Sequence, residues 1–99
     1  MFYVYILKSK LQPGAIYKGY SEDLAKRLKQ HNDPKNKGYS RLYAPWAVET
    51  YFAFSNIKKA KKFEKYLKSS SGHAFMNKRL LSDEFKRALT KFRDEKKKG

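Results

Sequence analysis

Tyr3-Val4-Tyr5-Ile6-Leu7, followed by Tyr17-Lys18-Gly19-Tyr20, is the stretch of sequence that decides the fold. Both segments are rich in aromatic, aliphatic and β-branched residues, so we predict strands over residues 2–7 and 15–20. Pro13-Gly14 is a strong turn signal, and the two strands should form an antiparallel hairpin with a long loop. Gly19 leaves the face that it shares with Tyr17 open, as is typical where a ligand or another backbone approaches closely.

A helix and a loop are predicted after the hairpin. Ser21 is a good N-cap, and the carboxylates of Glu22 and Asp23 suit the first turn of a helix that runs to about His31. The residues from 33 to 45 then have the composition of a loop.

The second half of the chain is predicted to hold one strand and several helical pieces. The strand runs from Trp46 to Phe54. The other segments are a helix over Ile57 to Ser69, a break at Ser69 to Gly72, a weakly helical piece over His73 to Leu81, and a helix that restarts at Ser82 and carries the core residues Phe85, Ala88, Leu89 and Phe92. This gives one α+β domain over residues 1–92 with the order β-β-α-β-α-α, and a basic tail over 93–99.

The composition bounds the class of protein. A chain of 99 residues has room for one small domain, and its hydrophobic content of 40% is enough for a core. The absence of cysteine excludes disulfides and thiolate metal sites and is compatible with the cytoplasm, where we expect the protein. No apolar run approaches the roughly 20 residues of a membrane span. The first residues also lack the basic segment of a signal peptide.

The charge of the chain is its strongest compositional signal. Lys and Arg number 24 against 9 Asp and Glu, which gives a net charge of +15, and the excess is larger in the second half. A field of this sign attracts polyanions, so nucleic acid is the first candidate partner and an anionic membrane surface is the second. The alternative is an ordinary solvated, lysine-rich surface.

Two segments are candidates for contact with nucleic acid. In the loop, basic residues alternate with aromatic ones, which suits phosphate pairing and base stacking, although the tyrosines can equally fold back onto the core. The helix over 57–69 presents many lysines on its polar faces. The candidate residues are Lys35, Lys37, Tyr39, Arg41 and Tyr43 in the loop, and Lys58, Lys59, Lys61, Lys62, Lys65 and Lys68 in the helix.

Glu64 lies on the apolar stripe that Ala60, Phe63 and Leu67 form along this helix. A carboxylate in such a place is costly unless it is paired or binds a cation. From the spacing alone, an ion pair with a neighbouring lysine explains Glu64 better than a functional role.

The ordered motifs resemble the GIY-YIG nuclease domain. They are Tyr3-Val4-Tyr5, Tyr17-Lys18-Gly19, Leu24-x-x-Arg27-Leu28-x-x-His31 and Phe63-Glu64-Lys65-Tyr66-Leu67-Lys68. Each motif is weak alone, but their order and the spacing from Tyr17 to Arg27 match the family over residues 2–80. The resemblance is closest to small stand-alone members, and implies a three-stranded antiparallel sheet flanked by helices.

The resemblance also implies phosphodiester hydrolysis assisted by one divalent ion, Mg²⁺ or Mn²⁺, held by Glu64. The matching catalytic residues are Tyr5, Tyr17, Arg27, His31 and Glu64, with Asn77 as a looser match. Arg27 would hold a phosphate oxygen, and Tyr5, acidified by nearby cations and helped by His31, would accept a proton from the attacking water. Tyr5, Tyr17 and His31 all remain candidates for the general base.

Two positions depart from the family pattern. Tyr3 replaces the glycine of the first motif and is expected to narrow the pocket, and Lys18 replaces an isoleucine and should point to the opposite face. The sequence therefore predicts a metal-dependent endonuclease acting on DNA, or on branched or single-stranded nucleic acid, with RNA as the other candidate substrate. The alternatives are a non-catalytic nucleic-acid-binding module and a nuclease subunit that needs a protein partner for activity or specificity.

Overall fold

The computed structural model describes residues 1–80 together with Arg87 and Lys91. Over this part of the chain, the strands and helices follow the predicted order. They are β1 (Phe2–Ser9), β2 (Ile16–Ser21), α1 (Leu24–Asn32), a short 3-10 helix (Tyr39–Tyr43), β3 (Trp46–Phe54), α2 (Ile57–Leu67) and α3 (Ser70–Arg79). The predicted α+β class is confirmed. No helix among the described residues is long and apolar enough to cross a membrane.

β1 is the central strand of the sheet, whose order is β2-β1-β3. Both neighbours run antiparallel to it, as the family resemblance implies. In this register Tyr5 lies opposite Gly19 of β2 and opposite Tyr51 of β3. A one-residue shift would turn every side chain to the other face, so this pairing fixes which residues meet on each side.

The two faces of β1 pack into two separate cores. Val4 and Ile6 are fully buried on one face, in a cluster that includes Ala60 and Leu67 of α2. On the other face Tyr5 and its neighbours pack with Trp46 and the apolar side of α1. Successive side chains of β1 thus alternate between the two faces, and this alternation directs the Tyr5 side chain toward α1.

The predicted start of α1 is wrong by two residues. Asp23, not Ser21, is the N-cap, and its side chain accepts a hydrogen bond from the Lys26 amide at 3.0 Å. The reason is that Ser21 still pairs with Tyr3 as the last residue of β2. Its hydroxyl stabilises the turn instead, accepting from the Asp23 amide and donating to the Asp23 carbonyl.

The predicted break at Ser69 to Gly72 is also wrong, because α3 already begins at Ser70. The Ser69 side chain caps this helix and accepts from the Gly72 amide at 3.2 Å. Gly72 is buried against the end of α2, where an added Cβ would overlap the Tyr66 carbonyl oxygen and lie 2.5 Å from the Leu67 Cα. The glycine that reads locally as a helix breaker therefore allows α3 to pack on α2.

Several predictions lie outside the described residues. These are the end of the third helical piece at Leu81, the helix from Ser82 with its core residues, the domain boundary at residue 92 and the basic tail over 93–99.

Replacing Gly72 with Ala should destabilise the fold by about 1–3 kcal/mol, because the new methyl group meets backbone atoms that cannot move aside cheaply. Ser71→Ala is the matched control, since Ser71 is exposed in the same turn and alanine favours a helix. Urea unfolding of both variants measures the difference. Equal stability of Gly72→Ala and the wild type would show that α3 does not pack on α2 in this way.

Candidate active site

Gly19 makes room for the ring of Tyr5. A Cβ at Gly19 would lie 2.5 Å from the Tyr5 hydroxyl oxygen and 3.2 Å from the Tyr17 ring. The close approach predicted at this glycine is therefore made by an aromatic side chain of the neighbouring strand. With no side chain in the way, the Tyr5 ring lies over β2 and carries its hydroxyl toward the edge of the sheet.

His31 links this hydroxyl to the loop after α1. The Tyr5 oxygen is 3.0 Å from His31 Nε2, and His31 Nδ1 is 2.8 Å from the Ser40 hydroxyl oxygen. Asn36 Nδ2 donates to the same Ser40 oxygen at 2.8 Å. If the Tyr5 hydroxyl donates to Nε2, Nδ1–H donates to Ser40, and the other tautomer reverses both bonds. Both nitrogens of the buried imidazole are thus engaged in one continuous chain of hydrogen bonds.

The protonation of this chain follows from its burial. Burial is the main cause that raises the pKa of Tyr5, with smaller rises from Tyr17 and Glu64 and an opposing effect of Arg27. Burial, and then the positive charge of Arg27, lower the pKa of His31. The prediction that cations acidify Tyr5 is therefore wrong for this structure, because desolvation outweighs Arg27. Near pH 7, Tyr5 keeps its proton and His31 is neutral, so His31 is the better proton acceptor of the two.

Tyr17 and Arg27 complete one side of a pocket next to His31. The Tyr17 ring lies 4.5 Å from the His31 ring and 6.4 Å from the Tyr5 ring. Arg27 is exposed one helical turn before His31 on α1. The pocket has a volume of about 270 Å³ and is lined by Tyr17, Arg27, Gln30, His31, Asn36, Gly38, Tyr39 and Ser40.

Glu64 approaches from the other side of the sheet, on α2. Its charge is one of the causes, after burial and Tyr17, that raise the pKa of Tyr5, so it lies within electrostatic range of that hydroxyl. Its carboxylate also pairs with Lys68 at 3.2 Å, as the ordinary interpretation of the sequence predicts. The side chains are 24% and 54% exposed respectively, and such exposed pairs contribute little stability.

A single divalent ion fits this donor set. Among the described residues, no three His, Cys, Asp or Glu side chains lie together as a metal cage. Mg²⁺ needs no such cage, because it keeps several waters and takes one or two carboxylates together with substrate phosphate. Glu64 can supply that carboxylate once its weak pair with Lys68 opens.

Asn77 lies in α3, which packs on α2, the helix that carries Glu64, on the opposite face of the sheet from α1. Its side-chain oxygen is buried and has no hydrogen-bond partner within the described part of the chain. The structure thus brings Tyr5, Tyr17, Arg27 and His31 together and puts Glu64 within electrostatic range of Tyr5. A role for Asn77 in the site stays a prediction.

Comparison with known proteins decides the family. The profile described as "GIY-YIG catalytic domain" matches residues 1–79. The chain belongs to the GIY-YIG family. Its relatives include a UPF0213 protein of Bacillus licheniformis, 36% identical over 69 residues that cover 70% of this chain and 69% of the relative. A UPF0213 protein of Clostridium perfringens is 37% identical over 68 residues, covering 69% and 71% of the two chains.

One solved structure is also similar to this GIY-YIG domain. The UPF0213 protein of Bacillus halodurans, determined by NMR in solution, aligns with a TM-score of 0.49 and 29% identity. The alignment covers 90% of this chain and 97% of that chain.

The two departures from the GIY-YIG motifs lie away from the pocket. Lys18 points to the opposite face, as predicted, and its Nζ donates to the Leu67 carbonyl at 2.9 Å, tying β2 to the end of α2. Tyr3 does not line the pocket beside His31, so the prediction that it narrows this pocket is wrong. Its ring packs edge-on against Tyr51 at 5.9 Å, because β1 places it beside β3.

The candidate nucleic-acid contacts of the GIY-YIG domain are mostly exposed. The two loop tyrosines differ: Tyr43 is half-buried against the core around Tyr5, whereas Tyr39 is 48% exposed and lines the pocket. Folding back onto the core therefore holds for Tyr43, whereas contact of Tyr39 with nucleic acid stays a prediction. The exposed basic residues are Lys35, Lys37 and Arg41 in the loop and Lys58, Lys59, Lys61, Lys62, Lys65 and Lys68 on α2.

Ser40 and Asn36 are the residues that sequence reasoning missed. Both engage His31 or its partner, and Ser40 is nearly fully buried. Trp46 Nε1 donates to the Ser40 carbonyl, which helps to hold this segment in place. The sequence signal was weak, since a polar loop residue nine positions after a histidine has no regular geometric relation to it.

The pKa of His31 should lie below its ordinary value of 6.5. An NMR titration of the imidazole measures it directly. Arg27→Gln should raise the pKa of His31, because it removes the positive charge that is one of the two causes of the lowered value. Lys26→Gln removes a charge from an exposed neighbouring position and should change this pKa less. A His31 pKa at or above 6.5 would contradict the described burial.

The same shift should make folding dependent on pH. Because the pKa of His31 is lower in the folded protein than in the unfolded chain, the unfolded chain binds the proton first as the pH falls. The contribution of His31 to the free energy of unfolding is therefore fully present above about pH 6.5 and is lost below it. His31→Asn removes this contribution, which has a slope of at most about 1.4 kcal/mol per pH unit. Urea unfolding between pH 7.5 and 5.5 compares the two proteins, and equal losses would refute the assignment.

Proposed function

We propose that this GIY-YIG domain hydrolyses phosphodiester bonds in nucleic acid, first of all DNA, with one divalent ion held at Glu64. The observation that carries the proposal is the buried chain of hydrogen bonds from Tyr5 through His31 to Ser40, which ends at a pocket that contains Arg27. This arrangement supplies a proton acceptor and a fixed positive charge at one place on a strongly basic chain.

Tyr5 acts as a neutral relay and His31 as the final base. As water attacks the phosphorus, its proton passes to the Tyr5 oxygen while the Tyr5 proton passes to His31 Nε2. Tyr5 then never has to ionise, which suits a phenol whose pKa is raised by burial. The imidazolium that forms donates through Nδ1 to Ser40. The relay requires the tautomer in which Nδ1 carries the proton in the resting state.

Arg27 stabilises the negative charge that builds up on the phosphate. Its charge reaches the reacting groups, since it lowers the pKa of His31 and opposes the rise at Tyr5. An arginine can hold two phosphate oxygens at once, and such charge-assisted hydrogen bonds are about twice as strong as neutral ones. Tyr17 packs against the His31 ring and holds it in orientation.

Glu64 would hold the divalent ion, which supplies positive charge at the leaving oxygen when it is bound. The lysines around it on α2 contact the phosphate backbone on either side of the cleaved bond. These residues position nucleic acid but carry no sequence information, so any specificity comes from elsewhere, for example from a protein partner.

A non-catalytic nucleic-acid-binding module is the second candidate. The observation that favours it is that Glu64 already has a partner in Lys68 and Tyr5 holds its proton tightly. This function needs only the net charge of +15 and the exposed aromatic residues. It would bind nucleic acid with a steep salt dependence and release no product with any metal. A subunit that is active only with a partner would behave in the same way when alone, and location in the cytoplasm stays a prediction.

Replacing Glu64 with Ala should reduce cleavage by more than about 100-fold, because the carboxylate ligand of the ion is lost, while binding is retained. Supercoiled plasmid, single-stranded DNA, branched DNA and RNA are each incubated with Mg²⁺, Mn²⁺ or chelator. Glu49→Ala is the matched control, since Glu49 also forms an ion pair with a lysine, Lys8, at 3.3 Å. Cleavage that survives Glu64→Ala would refute the mechanism, and wild-type binding without product would favour the second candidate.

Neutralising Lys62 and Lys65 on α2 should flatten the salt dependence of binding to duplex DNA. Each lost phosphate contact lowers the slope of log K against log salt concentration by about 0.9. Lys10→Gln combined with Lys29→Gln removes the same charge from exposed positions outside α2 and should change the slope less. If the two double variants give the same slope, α2 is not the contact surface for the phosphates.

A further inference from the structure

The pocket beside His31 has the character of a site for a flat, polar ring. Tyr39, 48% exposed, and Tyr17 contribute aromatic surface, and Gln30 contributes an exposed side-chain amide. The amide nitrogen of Asn36 already donates to the Ser40 hydroxyl and to the His31 carbonyl. His31 and Ser40 are buried side chains in its lining. None of the described residues that line it is acidic. An aromatic surface and a side-chain amide suit a nucleobase, which needs stacking and hydrogen bonds to its edge.

A second depression lies on the other side of Arg27. Arg27 and Gln30 line both depressions and form the ridge between them. The second depression is lined by the carboxylates Glu22 and Asp23, which repel a polyanion, although Lys26 offsets part of that charge. A nucleotide whose phosphate contacts Arg27 is therefore favoured to direct its base toward His31 and Tyr39, where the lining carries no negative charge.

The size of the pocket limits what can enter. At about 270 Å³ it lies just below the usual range of ligand pockets, which begins near 300 Å³, and it suits a single nucleobase. In a duplex the faces of a base are covered by its neighbours and its edge by its partner, so neither can contact Tyr39 or Gln30. A base can enter only if it is unpaired, either in a single strand or after leaving its duplex, which costs a few kcal/mol when the base is paired.

We infer that the pocket between Tyr39 and His31 binds one unpaired nucleobase next to the phosphate held by Arg27, so that the domain selects single-stranded or locally unpaired nucleic acid. The inference rests on the proposed function for its biological meaning, since it defines the substrate class of that site. The base itself is bound by the chain alone, and this binding needs neither the metal nor the chemical step.

The test measures binding in chelator, where metal-dependent cleavage cannot occur. One probe is a ten-unit abasic oligonucleotide, and the other is the same oligomer with a single thymidine at its centre. The two probes carry the same number of phosphates, so the electrostatic contribution to binding cancels. Wild type should bind the thymidine probe about tenfold more tightly, as expected for one base stacked on an aromatic side chain.

Substitutions then assign that preference to the pocket. Tyr39→Ala should bring the ratio of the two affinities close to one, and Tyr39→Phe should keep it, because phenylalanine retains the stacking surface. Tyr51→Ala is the matched control, since Tyr51 is 54% exposed on β3 and does not line this pocket. Thermal unfolding of each variant verifies folding. If Tyr39→Ala unfolds, Tyr39→Leu replaces it, because leucine fills similar space without an aromatic face and should also bring the ratio close to one.

Two results would overturn the inference: equal affinity of the wild type for both probes, or a preference that Tyr39→Ala leaves unchanged. A fully paired duplex gives a further check, because its affinity should not depend on Tyr39. The outcome is separate from that of the cleavage assay. A base preference without cleavage supports this inference and refutes the nuclease proposal for the isolated chain, whereas cleavage without a base preference does the reverse.

Discussion

The contact between the Tyr5 ring and Gly19 is the constraint on which the site depends. The two residues face each other across β1 and β2, and the hydroxyl lies where any larger residue at position 19 would place its Cβ. Because the ring can cross the neighbouring strand, the hydroxyl of a residue on the central strand reaches His31 on α1. A tyrosine of the core is thus joined by its hydroxyl to a histidine that lines a pocket.

Burial of Tyr5 and His31 against each other shifts the pKa of both side chains. Desolvation disfavours the charged form of each, so it raises the pKa of the acid and lowers that of the base. Arg27 lowers the pKa of both, which favours loss of a proton from either group. The resting pair is therefore neutral phenol and neutral imidazole, joined by a hydrogen bond. This is the starting state that a proton relay needs, and it is set by burial more than by any single charge.

Features encoded locally were predictable from the sequence, and features set by tertiary packing were not. The side chains that face each core could be identified in β1 and α2, because side chains repeat every two residues in a strand and every 3.6 residues in a helix. The start of α1 was misplaced because pairing with Tyr3 extends β2 through Ser21. Gly72 was read as a helix breaker because its reason, contact with the end of α2, is not local. Ser40 was missed for the same reason, and the direction of the Tyr5 pKa shift depends on burial that composition does not reveal.

The sheet separates two requirements that conflict on one surface. A site for phosphodiester cleavage needs positive charge to hold phosphate and negative charge to hold a cation, and adjacent opposite charges tend to neutralise each other. Here Arg27 lies on the α1 side and Glu64 on the α2 side, within range of the same Tyr5 hydroxyl. The ammonium group of Lys68 balances the charge of the Glu64 carboxylate. Because this ion pair is exposed, replacing Lys68 by another cation costs little free energy. The carboxylate thus stays accessible on a helix whose other charged side chains are lysines.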